Sequence, residues 1–291
     1  MWITARLRNC SHPPKGGLKP EAKRLAVSCI RESLGQSERK SCILVYISVS
    51  AYRYQPKEDD VEALRHRLRE LAGQRKWFDS PRLHIMLKRE NLVINHKRTE
   101  RIHLEEGLAL RRKKRRQGTT GVRAVIPEVV RPNEHWSVDF VSDSIVTGRR
   151  FRVLTIVDNY MRECPAIKVD TSPGGARVVN VLDRLAATRG LPEVITIDNG
   201  PEFAGKATDE WAYHKNIKLN FITRGKPVEN AYAESLNGRL WDECLNTNWF
   251  MNLKHARNGI EDWRRDYNEV RPHSSLKNMT PTEYANATTG L

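Results

Sequence analysis

Long apolar runs are missing from this sequence of 291 residues. The longest candidate, 43–49, is far short of the ~20 residues a membrane span needs. We expect no span and no secretory leader. Paired cysteines are missing too. Cys10, Cys29, Cys42, Cys164 and Cys244 form no CxxC motif and no Cys/His zinc spacing. That excludes a disulfide framework and a structural zinc site, and leaves scattered thiols of a reducing cytoplasm. Acids are scarce. There are 35 Asp+Glu against 50 Lys+Arg, a formal charge of +15. The shortage is local: residues 1–130 carry 29 bases against 14 acids, whereas 131–291 carry 21 against 21. A basic half suited to a polyanion is joined to a neutral half. A basic but idle surface is the plainer alternative.

Residues 1–20, rich in Pro and Gly, are expected to be a disordered leader. Residues 21–110 read as a helical DNA-binding region. Helix starts at Ser37 and Ser48 suggest a helix-turn-helix, although Ile43–Ile47 also fits a strand. Val61, Leu64, Leu68 and Leu71 fall at helical spacing, with Arg65, Arg67 and Arg69 as a basic outer face. Leu83, Met86 and Leu87 mark another helix. A third opens at Asn95, a good N-cap, and carries Lys97, Arg98 and Arg101 as candidate phosphate contacts. A solvated helix face is its plain alternative. Arg111, Arg112, Lys113, Lys114, Arg115 and Arg116 are six consecutive bases. Such a run repels itself, so 111–130 is expected to be a linker or arm along phosphates.

From His135 the pattern turns to strands. Segments 136–141, 150–157 and 165–169 form a meander. A helix ending at Gly190, a strand to Asp198, a helix near 203–214, a strand at 218–222 and helices near 230–245 and 255–267 follow. The order β-β-β-α-β-α-β-α predicts an α/β, ribonuclease-H-like domain with a mixed five-stranded sheet and helices on both faces, over 131–245. Residues 246–291 would be its C-terminal helix and tail. Asp139 and Asp198 take strand positions that are normally apolar, and Glu234 follows Asp198 in a helix with 35 residues between them. Three such acids suit two divalent ions about 3.5–4 Å apart, the arrangement phosphodiester chemistry uses. Pairing of each acid with an arginine is the alternative. Trp249, Phe250 and Trp263 read as core, and His135 and His214 as structural.

The segments WSVDFVSD, FRVLTIVDNYMREC, LPEVITIDNGPEF, GKPVENAYAESLNGRLWDECLN, WRRDYNEVRPHSSL and MTPTEY resemble the integrase core of DDE transposases. The resemblance is to the OrfB protein of two-frame bacterial insertion sequences, close over 131–285 and looser over 20–110. It implies that Asp139, Asp198 and Glu234 are the catalytic, metal-binding triad. It implies two Mg²⁺ ions, with Mn²⁺ able to substitute, and cleavage of element ends followed by strand transfer. Lys226, Asn230, Asn237, Arg239 and Trp241 are expected at the DNA. The implied partners are double-stranded DNA, further copies of the chain in a homo-oligomer, and an upstream-frame protein. The implied setting is the bacterial cytoplasm, at the nucleoid.

The sequence departs from the family in three places. Seven residues past Glu234 the family shows Lys or Arg; here stands Trp241, with Arg239 two positions away. Asn159 replaces a frequent Asp, and residues 78–83 read FDSPRL in place of a Gly-Tyr-Arg-Arg-Leu-like run. Two other readings therefore stand beside transposition: a DNA-binding remnant with an impaired core, and a nuclease that cuts without joining.

Overall fold

The computed structural model describes residues 19–54, 61–110, 129–172, 174–200, 203, 205–223, 225 and 227–289. The leader up to residue 18, the basic run 111–116 with the linker to 128, and Lys226 lie outside these residues. The chain divides into two compact units, 1–61 and 62–291. The boundary falls inside the helical stretch 21–110.

The first unit holds α1 (Pro20–Leu34), α2 (Glu38–Leu44) and α3 (Val49–Arg53). Val27 and Cys42 are buried between them. Gly35 ends α1 in the left-handed region, φ 58°, where its missing Cβ removes the strain. Ser48 caps α3 by accepting from Ala51 N at 3.1 Å. Ile43–Ile47 is not a strand: it closes α2 and turns, with φ 53° at Tyr46.

The second unit opens with α4 (Val61–Gln74), α5 (Ser80–Arg89) and α6 (His96–Glu105). Leu64, Leu68, Leu71, Leu83, Leu87 and Ile102 are buried, as their spacing requires. The basic face of α4 is not free. Arg65 donates to Glu106 at 2.6 Å, Arg67 to Glu90 at 2.6 Å, and Arg69 pairs with Glu106 at 2.9 Å. The partners lie 23 to 41 residues downstream, so the arginines tie α4 to the end of α5 and of α6. These helices also attach to the rest of the unit. Arg75 forms a two-pronged ion pair with Asp266. Arg89 reaches Glu283 at 2.7 Å. Arg271, almost fully buried, pairs with Glu243 at 2.9 Å and lies over the Phe78 ring.

The sheet comprises β1 (His135–Ser144), β2 (Arg150–Asp158), β3 (Ala166–Asp170), β4 (Val194–Ile197) and β5 (Lys218–Phe221), in the order β3-β2-β1-β4-β5. The meander pairs antiparallel; β4 and β5 join parallel through helical crossovers. On one side pack α7 (Gly175–Arg189) and α8 (Lys206–Lys215), over Trp136, Val138, Leu154, Ile156, Ile195 and Ile197. On the other pack α9 (Ala231–Glu243) and α10 (Leu253–Glu269), over Val141, Phe151, Val153 and Val157. The period-2 alternation thus sorts each strand's residues between two cores. Helix α11 (Pro281–Thr289) lies against α10. Phe250 and Trp263 are buried as expected, but Trp249 is 81% exposed. No described helix is long and apolar enough to cross a membrane.

Candidate active site

Two strands place two acids side by side. Ser137 on β1 pairs with Thr196 on β4 in parallel register. Two residues beyond each stand Asp139 and Asp198. Asp139 shares its face of β1 with Ser137 and Val141, the face covered by α9. Asp198 follows the last residue of β4, and its Oδ1 accepts from Gly200 N at 3.0 Å, closing the Asn-Gly turn.

The Asp139 carboxylate is held by two hydrogen bonds. Oδ1 accepts from Phe140 N at 2.7 Å, and Oδ2 from Asn237 Nδ2 at 2.8 Å. Asn237 Oδ1 accepts from Thr155 Oγ1 at 2.7 Å, on the β2 residue opposite Asp139. Burial chiefly, with the nearby Asp198 and Glu234 carboxylates adding to it, pushes Asp139 up to about 6; the two hydrogen bonds act against the rise. The three acids therefore share one electrostatic neighbourhood. Among the described residues no Lys or Arg pairs with any of them, which disfavours the arginine-pair alternative. Glu234 stands exposed on the first turn of α9. Among the described residues no three Asp, Glu, His or Cys side chains converge into a ready-made ion cage.

The other candidates disperse. Asn230 is buried and donates to Val138 O at 3.2 Å, which anchors the start of α9 to β1. Asn237 is likewise buried, and orients Asp139. Trp241 lies seven residues from Glu234, on the same flank of α9, and is 37% exposed. Arg239 is about 140° round the helix from Glu234. It raises the local positive potential at Arg82 and at His273, which burial above all pushes down to about 3. Lys97 and Arg101 are exposed on α6 and Arg98 is half-buried. Arg101 is 3.6 Å from Glu105. His135 bonds Thr196 Oγ1 at 2.7 Å, a structural role. Asn159 is buried at the end of β2, with its N donating to His135 O at 3.0 Å.

A mixed sheet in this order, with one acid within β1, a second at the end of the parallel neighbour β4 and a third on the helix beside them, defines a ribonuclease-H-like enzyme class. Integrase core domain families match the chain over residues 129–227 and over 215–281. A 31.7 kDa protein of insertion element IS407 from Burkholderia multivorans is 46% identical over 260 residues, 89% of this chain and 94% of that protein. A 39.2 kDa protein of insertion element IS476 from Xanthomonas euvesicatoria is 40% identical over 269 residues, 92% of this chain and 78% of that one. The simian T-cell lymphotropic virus intasome, solved in complex with the PP2A regulatory subunit B56 gamma, superposes with a TM-score of 0.50 at 15% identity, covering 75% of this chain and 73% of that one. That likeness concerns the fold alone. The chain belongs to the DDE transposases of insertion sequences, built on an integrase core domain.

Proposed function

We propose that this transposase cleaves and joins DNA strands at Asp139, Asp198 and Glu234. The observation that carries the assignment is the shared neighbourhood of the three acids, with Asp139 raised and no described base neutralising them. Such a donor set fits a hard divalent cation, which prefers carboxylate oxygens. We assign Mg²⁺, replaceable by Mn²⁺, with two ions per site. Two bound ions supply charge against the phosphate and stabilise the attacking and leaving oxygens.

The chain's own part is positional. Phe140 N and Asn237, itself held by Thr155, fix the Asp139 carboxylate, and each of its oxygens keeps a lone pair for a ligand. The Asn199-Gly200 turn holds Asp198 at the strand end. Glu234, exposed on α9, is the third proposed ligand. Lys97, Arg98 and Arg101 on α6, the run Arg111–Arg116, and Lys226 are the proposed duplex contacts. We further propose that it acts as a homo-oligomer assembled on DNA in the bacterial cytoplasm, at the nucleoid, with an upstream-frame protein as partner.

The test uses labelled element ends with Mg²⁺. Asp198→Asn and Glu234→Gln should each abolish both cleavage and joining while duplex binding persists. Retained cleavage in Asp198→Asn at saturating Mg²⁺ refutes the assignment. Cut product without joined product, in the natural chain, indicates a nuclease.

A further inference from the structure

The half from 131 to 291 is neutral as a whole, yet its charge is unevenly placed. Residues 144–157 and 244–259 contain no acid, and hold Arg149, Arg150, Arg152, Lys254 and Arg257. The fold brings these segments together. Val146, in the turn between β1 and β2, donates its N–H to Phe250 O at 2.9 Å. Phe250 is buried, edge-on to Phe151 at 6.0 Å and to His255 at 5.7 Å.

The loop around Trp249 is fixed on both sides. Asn248 Nδ2 donates to Cys244 O at 2.8 Å, and Asn252 caps α10 by accepting from His255 N at 2.9 Å. Between these anchors Trp249 is thrust outward, 81% exposed, with Met251 and Val146 exposed beside it. Arg149, Arg150 and Lys254 are exposed, and no carboxylate of the described residues pairs with them. A tryptophan ring beside exposed cations suits a partner with apolar sugar faces set between dense negative charges. A second copy of this face would set like charges opposite each other and repel. Duplex DNA supplies both features.

We propose that the β1–β2 turn and the loop 246–254 form a second duplex-DNA surface on the catalytic core. Trp249 packs on the deoxyribose faces that a duplex leaves open along its backbone, and Arg149, Arg150 and Lys254 hold phosphates. Ser144 ends β1 five residues beyond Asp139, about 17 Å along the strand. That is about five base pairs at ~3.4 Å each, within reach of a duplex that passes the acids. The choice of DNA as partner rests on the transposase reading.

The experiment uses the full chain. Duplex affinity is measured across a salt series for Trp249→Ala and for the double variant Arg149→Ala/Arg150→Ala. All three side chains are exposed, so melting temperatures should not move. Trp249→Ala should weaken binding about tenfold, through lost apolar burial on the sugars, with little change in salt slope. The double variant should reduce the log–log slope by about 1.8, at ~0.9 per phosphate contact. Unchanged affinity and slope in both variants overturn the proposal. So does a change in oligomeric state by light scattering with duplex affinity intact, which marks a self-association face. Asp198→Asn keeps the two ideas apart. If it still cleaves, the acid assignment falls, while weakened binding in Trp249→Ala still supports this surface.

Discussion

Replacing Asp139 with asparagine should make the metal-free protein more stable while abolishing its chemistry. Burial and the neighbouring carboxylates raise Asp139 from 3.8 to about 6. Relative to the unfolded chain, that folded group resists losing its proton. The penalty is absent below pH 3.8, grows as pH rises through about 6, and is complete above it. The gap of about two pH units corresponds to about 3 kcal/mol at 1.36 kcal/mol each. Asparagine carries no charge and escapes the penalty. It gives up something in return. One of its two terminal atoms becomes an NH₂, so it cannot accept from both Phe140 N and Asn237 Nδ2. One lost hydrogen bond costs about 1 kcal/mol. The net gain is about 2 kcal/mol at pH 7.5. For a unit of this size that raises Tm by about 4–8 °C. The assay is a pair of melts with EDTA, at pH 7.5 and at pH 4.5. The variant should melt higher at pH 7.5, and the advantage should shrink at pH 4.5. An equal advantage at both pH values, or a lower Tm at pH 7.5, refutes the electrostatic account of Asp139.

Three other outcomes follow from the structure. Asn237→Ala removes one partner each from Asp139 and Thr155; it should lower stability by about 1–3 kcal/mol and cut cleavage, read by melts and by product gels. Trp241→Arg should fold normally, because Trp241 is 37% exposed, and should raise joined product on element ends by adding a phosphate contact on the Glu234 flank; a sharp fall in melting temperature would show Trp241 to be core. Arg271→Ala leaves Glu243 uncompensated where the pair is nearly buried, and should cost about 3–5 kcal/mol in denaturant melts.

The strands were legible because β-branched runs and turn residues punctuate the second half, and the period of two carried Asp139 to the inner face. The acid at the end of 194–197 was legible as an interruption of an apolar run. Three features were not. The arginines of α4 look like a solvated face in sequence, because their glutamates lie 23 to 41 residues downstream. Asn237 looks like a DNA contact beside Glu234, yet its position on the buried stripe of α9 commits it to Asp139. Trp249 follows polar residues and precedes a buried Phe250, and composition alone cannot tell which of two adjacent aromatics turns inward. Only the register of the loop against Val146 N decides it.

The ion pairs that fasten α4–α6 to the rest of their unit make salt a double-acting variable. Arg75–Asp266 and Arg89–Glu283 join residues 191 and 194 apart in sequence, and all four side chains retain some exposure to solvent. At ~0.1 M ionic strength the screening length is about 10 Å, and at 1 M about 3 Å. Raising salt therefore weakens the grip on phosphates and, separately, slackens the joint that holds α6 at a set offset from Asp139. Binding curves against salt should then bend at high concentration, where the helices begin to move apart from the acids they normally accompany.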